Sequence, residues 1–189
     1  MYIARILYPV EVLGPGKRIG IWFCGCSHGC KGCSNPELWQ KQEKYKINID
    51  SILKLIHQIS DTNPVDGFTI TGGDPMEQSE ELQHLLKMLK PISDDILVYT
   101  GFEIEELTEK QLENISVLID GKYKEELNEN SLLRGSSNQR IHILEKEHKD
   151  KYDIYLKTET NKIQNFTTND GVVSVGIHKA DFMNSSIAS

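Results

Sequence analysis

All four cysteines of this 189-residue chain fall within ten consecutive positions, as Cys24, Cys26, Cys30 and Cys33. The last three have the spacing Cys-x3-Cys-x2-Cys, which suits one site of a cubane iron–sulfur cluster, a group that normally takes four cysteine ligands. Three protein thiolates would leave one iron open to an exogenous ligand, and an open position is typical of a catalytic metal. Glycines between the thiols allow the backbone to wrap tightly. The pattern therefore favours a cluster with one open iron.

Two other metal sites could be built from the same loop. A structural zinc ion could take Cys26, Cys30 and Cys33, with His28 or Cys24 as its fourth ligand. A ferredoxin-like electron carrier would use all four cysteines. Cys24 is also explained as a small buried hydrophobic residue, although a strand that extends to it would leave it on the same face as Cys26. His28 is either a hydrogen-bonding neighbour that tunes the cluster or an exposed loop histidine.

Composition and charge exclude several classes of protein. The chain is 38% apolar and 26% charged, which is ordinary for a soluble globular protein with one core. Its net charge of −7 argues against electrostatic binding of nucleic acid or an anionic membrane. No apolar run reaches the roughly 18–20 residues of a membrane span, and the N-terminus does not resemble a signal peptide. We therefore expect a cytoplasmic protein, in which clustered cysteines more often bind metal or do redox chemistry than form disulfides.

The hydrophobic pattern predicts strands that alternate with helices. Alternation of this kind indicates βαβ units and a parallel sheet with flanking helices, too short for a full eight-stranded barrel. Two N-terminal strands around the turn at 14–18 would form a hairpin, and the second leads into the cysteines. Either Asn48 or Asp50 could cap the first helix, and Ser79 the second. The predicted strands are 2–12, 19–23, 67–71, 96–100 and 115–120, and the predicted helices are 48–60, 79–90 and 103–114.

The pattern changes after Gly121. Residues 134–140 form a polar loop, and the last forty residues have the appearance of β structure. Within them, residues 152–160 alternate, and a hairpin is expected around a turn at 169–171. These residues are too few to hold a core of their own, so we expect 1–145 to form the core domain and 146–189 a β-rich extension packed on it.

Six motifs follow one another along residues 1–145. They are GPGKR (14–18), CSHGCKGCSNPELW (26–39), TGGDPM (71–76), YTGFEIEEL (99–107), LIDGKY (118–123) and RGSSNQR (134–140). The CxxxCxxC loop after an N-terminal strand resembles the signature of radical S-adenosylmethionine (SAM) enzymes, and the six motifs together resemble the activating subunit of anaerobic (class III) ribonucleotide reductase. The superfamily usually has an aromatic residue before the third cysteine, whereas Gly32 stands here, as in many activating subunits.

The resemblance implies a partial (βα) barrel of the radical SAM type and an oxidoreductase activity. A 4Fe-4S cluster on Cys26, Cys30 and Cys33 would bind SAM and cleave it reductively. The product would generate a glycyl radical on the large subunit of the anaerobic reductase, with electrons from a low-potential donor such as flavodoxin. Residues 146–189 have no counterpart in the family pattern. They therefore leave an alternative function, in which the protein is an activase or a peptide-modifying radical enzyme for a different partner.

The resemblance also implies which residues would contact SAM. Gly32 and Ser34 flank the third ligand, Cys33. Gly72 and Gly73 would let backbone carbonyls approach the methionine ammonium, and Asp74 would pair with it or fix the turn; an ordinary strand-to-helix turn is the alternative. Thr100 or Tyr99 would line the adenosine pocket, with Tyr99 in the core as the alternative. Asn138 lies in the polar loop, which would contact the cofactor or the partner, or be a solvated surface loop.

Overall fold

A computed structural model describes residues 1–168 and 171–177, and its centre is one six-stranded sheet. The strands are ordered along the sheet as they are in the chain. β1 and β2 form an antiparallel hairpin, β2 to β5 are parallel, and β6 is antiparallel to β5. This confirms the predicted hairpin and parallel sheet. The strands are β1 (Ile3–Val10), β2 (Arg18–Phe23), β3 (Gly67–Gly72), β4 (Ile96–Tyr99), β5 (Val117–Asp120) and β6 (Arg140–Ile143).

Two long helices cover one face of the sheet. α1 (Ile49–Ser60) begins at Asn48, whose side chain accepts a hydrogen bond from the Ser51 N–H, so that the predicted cap is confirmed. α2 (Ser79–Leu89) buries its leucine stripe against the sheet, where alternate residues of the strands point towards it. This cluster forms the largest part of the core.

Two predictions on this face are wrong. The helix expected over 103–114 is broken into a 3-10 turn (Ile104–Glu106) and a four-residue helix, α3 (Glu109–Leu112). Leu107 is extended between them, and Thr108 caps α3 through a capping box with Gln111 that starts a new helix. Ser79 does not cap α2, because a 3-10 turn (Pro75–Gln78) runs directly into that helix.

The C-terminal part of the described chain covers the other face. Residues 152–160 were expected to be β structure, but 152–158 belong to a helix, α4 (Lys149–Thr158). Tyr152 and Tyr155, three positions apart, lie on the same side of α4 and pack on β4 and β5. The predicted hairpin is confirmed as β7 (Gln164–Thr168) and β8 (Gly171–Val175), which contribute Val175 to a cluster with Trp22. Residues 169 and 170 of its turn lie outside the described residues.

A buried ionic network ties α4 to the amino end of the parallel strands. Arg18 is fully buried and donates to Asp95 Oδ1 at 3.0 Å and to Thr69 Oγ1 at 2.8 Å. From α4, Tyr152 donates to Asp95 Oδ1 at 2.7 Å, and Lys151 donates to Asp95 Oδ2. Arg18 therefore forms a buried salt bridge with Asp95, which lies in the loop before β4. Across residues 1–168 and 171–177, no helix has both the length and the apolar character of a membrane span.

Candidate metal centre

The cysteine loop is one of several loops that meet at the carboxyl edge of the parallel strands. The loop after β2 contacts the loop after β3, where the Asp74 N–H donates to Gly25 O at 2.7 Å. The loop after β5 contacts the one after β4, where the Gly121 N–H donates to Phe102 O at 3.0 Å. Ligands bind at this edge in open α/β sheets. The fold therefore brings the candidate residues of four strands to one place.

Each of the three motif cysteines has a backbone N–H directed at its sulfur. The N–H of His28 contacts Cys26, that of Tyr123 contacts Cys30, and that of Asn35 lies 3.4 Å from Cys33 Sγ. All three cysteines are free and partly exposed. Hydrogen bonds to the ligand sulfurs are one of the means by which proteins set the potential of an iron–sulfur cluster. The donor set therefore fits such a cluster.

The pKa values of two motif thiols, Cys26 and Cys30, are raised above the ordinary value. Burial raises the pKa of Cys26 to about 11, and the carboxylates of Asp74 and Glu77 act in the same direction, against the His28 N–H. Burial and the neighbouring Cys33 raise the pKa of Cys30. Because a metal binds the thiolate, occupation of this loop would release protons.

Cys24 is placed differently from the other three cysteines. It is fully buried in an apolar cluster, and its thiol donates to Gln40 O at 3.0 Å. Among the described residues, the group close enough to hold a single ion is Cys26, His28 and Glu77, whose ligand atoms lie within 4.8 Å of one another. That group differs from both zinc sets considered above, which needed Cys30 and Cys33.

The glycine pair after β3 packs against the cysteine loop. A Cβ on Gly72 would lie 2.4 Å from Phe23 O, and one on Gly73 would lie 2.4 Å from Gly25 O. No side chain fits at these distances, so the close approach of the two loops requires glycine at both positions. Asp74 follows them, is 1% exposed, and accepts from the Met76 N–H at 2.9 Å, which fixes the turn.

The two candidates at the end of β4 have different surroundings. Thr100 donates to Asp74 Oδ1 at 2.9 Å, so its hydroxyl is used within the protein. The side chain of Tyr99 packs with Leu97 and Tyr155 on the face that α4 covers, and its hydroxyl has no partner among the described residues. Burial raises its pKa, and Tyr155 adds to the effect. An unpartnered buried hydroxyl is costly unless a ligand satisfies it.

The polar loop at 134–139 is ordered against the end of β5. Gln139 donates to Gly121 O at 2.9 Å and accepts from the Gly135 N–H at 2.8 Å. Asn138 donates to Lys122 O at 2.9 Å, and its own Oδ1 is buried with no partner in the described part of the chain. The loop is therefore a built part of this edge, with one acceptor free for a donor on a ligand.

Gly32 and Ser34, the two remaining predicted residues, are exposed at the rim of the site. Gly32 has φ of +71°, and a side chain there would meet Glu125, whose carboxylate lies 3.1 Å from Lys31 Nζ. Ser34 is exposed beside Cys33. Asp120 is buried at the end of β5. Burial alone would raise its pKa, but hydrogen bonds from Arg140 and from the Ile104 N–H hold the pKa below its usual value.

Three contacts in the site escaped sequence reasoning. His28 is not an exposed loop residue: its side chain is 7% exposed and pairs with Asp74. Glu77 accepts from both the N–H and the hydroxyl of Ser27, at 2.5 and 2.6 Å. The Tyr123 N–H reaches Cys30 from a distant loop. A histidine between two cysteines was the one visible signal, whereas the other contacts depend on how the loops meet in three dimensions.

Most of the chain matches a family of iron–sulfur proteins. Residues 12–142 match the model of a family described as a 4Fe-4S single cluster domain. This agrees with the donor set and with the cluster predicted from the cysteine spacing, in preference to zinc.

The particular family follows from individual relatives. Anaerobic ribonucleoside-triphosphate reductase-activating proteins align with most of this chain. The one from Enterobacteria phage T4 is 34% identical over 141 residues, which is 71% of this chain and 90% of the relative. Those from Escherichia coli K12 and Vibrio cholerae are 34% and 35% identical, over 72% and 71% of this chain and 96% and 94% of the relatives. The chain belongs to this family, which confirms the resemblance seen in the motifs.

Proposed function

We propose that this chain is a radical SAM activase that generates a glycyl radical on an anaerobic ribonucleoside-triphosphate reductase. Cys26, Cys30 and Cys33 would hold the 4Fe-4S cluster, and one iron would bind SAM. A cluster held there would pass one electron from a low-potential donor such as flavodoxin to SAM, and the cleaved cofactor would take a hydrogen atom from a glycine of the partner. The proposal is supported above all by membership of the activating-protein family.

The protein's own residues would position the cofactor. Gly72 and Gly73 bring the loop after β3 against the cysteine loop, so that its carbonyls can face the methionine ammonium. Gly32 and Ser34 would contact the cofactor from the rim. Asn138 would accept a hydrogen bond through its free Oδ1. Thr100 would act through Asp74, to which it donates.

We also infer that the sheet is the partial barrel of radical SAM proteins. The consecutive parallel order of β2 to β5 and the helices packed on one face support this assignment. Residues 1–145 would form the catalytic core, and the described part of 146–189 would cover the opposite face.

The first test is metal content and cofactor cleavage under anoxia. We expect about four irons per chain, with retention of iron in Cys24→Ala and loss of iron in Cys26→Ala, Cys30→Ala and Cys33→Ala. Reduced protein should release 5′-deoxyadenosine from SAM. With the anaerobic reductase present, a glycyl doublet should appear in electron paramagnetic resonance. Zinc without iron, or loss of iron in Cys24→Ala, would contradict the three-cysteine cluster.

A second candidate is an activase or peptide-modifying radical enzyme with another partner. The relatives align with 71% and 72% of this chain but with 90% and 96% of their own length, so this chain is longer than they are. The segment after about residue 145, which lies beyond the family motifs, favours this second candidate. Cleavage of SAM without a glycyl doublet on the anaerobic reductase would support this second candidate.

A further inference from the structure

We propose that His28 is a positioning residue that fixes the cysteine loop on the loop 72–78, and so sets the distance between the thiols and the cofactor. The expected effect of His28 on the binding of SAM rests on the proposed function. The structural part of the inference concerns the protein without cofactor and can be tested alone.

His28 makes contacts in two directions from between two predicted ligands. Its backbone N–H contacts the sulfur of Cys26. Its imidazole Nε2 lies 2.7 Å from Asp74 Oδ2, a short distance for an N–H donating to a carboxylate. One residue therefore touches a predicted iron ligand and the loop that would bind the methionine end of SAM.

The imidazole is held in one orientation. It packs edge-on against Phe102, with ring centroids 4.7 Å apart and an interplanar angle of 70°. On the neighbouring Gly101, a Cβ would lie 2.4 Å from His28 Cδ2, so a side chain there would displace the ring. The loop after β4 thus supplies a slot that the ring fills.

Asp74 is a fixed anchor for this contact. Besides His28, its carboxylate accepts from the N–H groups of Met76 and Gly101, at 2.9 and 2.8 Å, and from Thr100 Oγ1. With this many donors, the carboxylate has little freedom to move towards a ligand. Asp74 therefore serves to hold His28 and the turn, and the His28 contact connects the loops after β2, β3 and β4.

The test compares two substitutions that differ in the hydrogen bond. In His28→Gln, the side-chain amide can reach the position of Nε2 and still donate to Asp74. In His28→Phe, the ring still packs on Phe102, but the donor is lost. We expect both variants to keep about four irons per chain, because the three thiols are unchanged. We expect His28→Phe to raise the KM for SAM about tenfold, as loss of a supporting contact at a metal site typically does, and His28→Gln to change it less than threefold.

Two further measurements do not need turnover. In apo protein, amide hydrogen exchange over residues 24–33 should be at least tenfold faster in His28→Phe and unchanged in His28→Gln. In the reduced holoprotein, the change that SAM causes in the cluster's electron paramagnetic resonance spectrum should require about tenfold more SAM in His28→Phe. His84→Gln, on the exposed side of α2, is the matched control and should behave as wild type.

The outcomes separate the two proposals. If wild-type protein holds iron but does not cleave SAM, the proposed function fails, and the exchange result still decides the role of His28. Loss of iron in His28→Phe would identify His28 as a ligand and overturn the positioning role. Equal effects of the Phe and Gln substitutions, or none from either, would also overturn it, because the hydrogen bond would then not be the cause.

Discussion

At the scale of single residues, the site depends on backbone proximity as much as on side-chain chemistry. The cysteine spacing alone indicated the cluster, because ligand type and spacing are local properties of the sequence. The free Oδ1 of Asn138 and the contact of Tyr123 with Cys30 could not be predicted, because both depend on loops far apart in sequence. The glycine pair was recognised, but its packing against Phe23 and Gly25 needed the structure.

The close packing of Gly73 on the cysteine loop predicts that adding one methyl group there destabilises the protein. We expect Gly73→Ala to destabilise the apo protein by about 3 kcal/mol, because the new Cβ would overlap Gly25 O and push the two loops apart. The same shift should weaken binding of SAM at least tenfold. Chemical denaturation and cofactor titration would measure the two effects.

Gly29→Ala is the matched control for that substitution. Gly29 also lies in the cysteine loop and has φ of +60°, but nothing lies within 4 Å of a Cβ placed there. Only the conformational cost should appear, about 1 kcal/mol. If both variants lose the same stability, steric overlap at Gly73 is not the cause.

At the scale of elements, strands were predicted more reliably than helices. The strands that reach the site are short runs of buried β-branched and aromatic residues, and their neighbours in the sheet follow chain order. The prediction of one helix over 103–114 is wrong because the Thr108–Gln111 capping box starts a new helix. The alternation over 152–160 favours a strand and does not predict α4, although the spacing of three between Tyr152 and Tyr155 fits a helix.

Because Asp95 connects α4 to the sheet, its substitution should strongly reduce the stability of the protein. We expect Asp95→Asn to destabilise the protein at pH 7 by about 3–5 kcal/mol, because Arg18 would remain buried without its counter-charge. Burial opposes ionisation of Asp95, but Arg18, Lys151 and Tyr152 hold its pKa below 3.8. A depressed pKa in the folded state stabilises the fold above the ordinary carboxyl pKa, and this contribution is lost as the pH falls through the folded value.

The pH dependence of stability tests whether the network favours the ionised form of Asp95. The stability difference between wild type and Asp95→Asn should be constant above about pH 5 and should narrow as the pH falls below the ordinary carboxyl pKa. Urea denaturation of the apo proteins from pH 7 to pH 3 would measure it. A difference that widens on acidification would show that the network does not favour the ionised carboxylate.

At the scale of the whole molecule, the chain covers both faces of its sheet and leaves the carboxyl edge for the site. α1 and α2 cover one face, and α4 with the β7–β8 hairpin covers the other. The motifs that resemble the family end near residue 145, yet residues beyond it pack on β4, β5 and the N-terminal strands. The described part of the extension therefore completes the core.

Two truncations test that conclusion. A chain ending at residue 145 would lose Lys151 and Tyr152 from Asp95 and expose the apolar side of β4 and β5. We expect it to lose more than about 4 kcal/mol of stability and to be recovered largely as aggregate.

A chain ending at residue 160 keeps α4 and is the matched comparison. It would lose the β7–β8 hairpin, which packs Val175 and the partly buried Phe166 and Val173 on the cluster around Trp22. At the end of β1, Gln164 donates to Pro9 O and accepts from the Glu11 N–H. We expect a cost of about 3 kcal/mol, since one buried side chain, several partly buried ones and two hydrogen bonds are removed. The thermal midpoints should therefore fall in the order full chain, 1–160, 1–145. A stable 1–145 chain that still assembles the cluster would instead show that the core folds without α4, and that the extension serves a purpose other than stability.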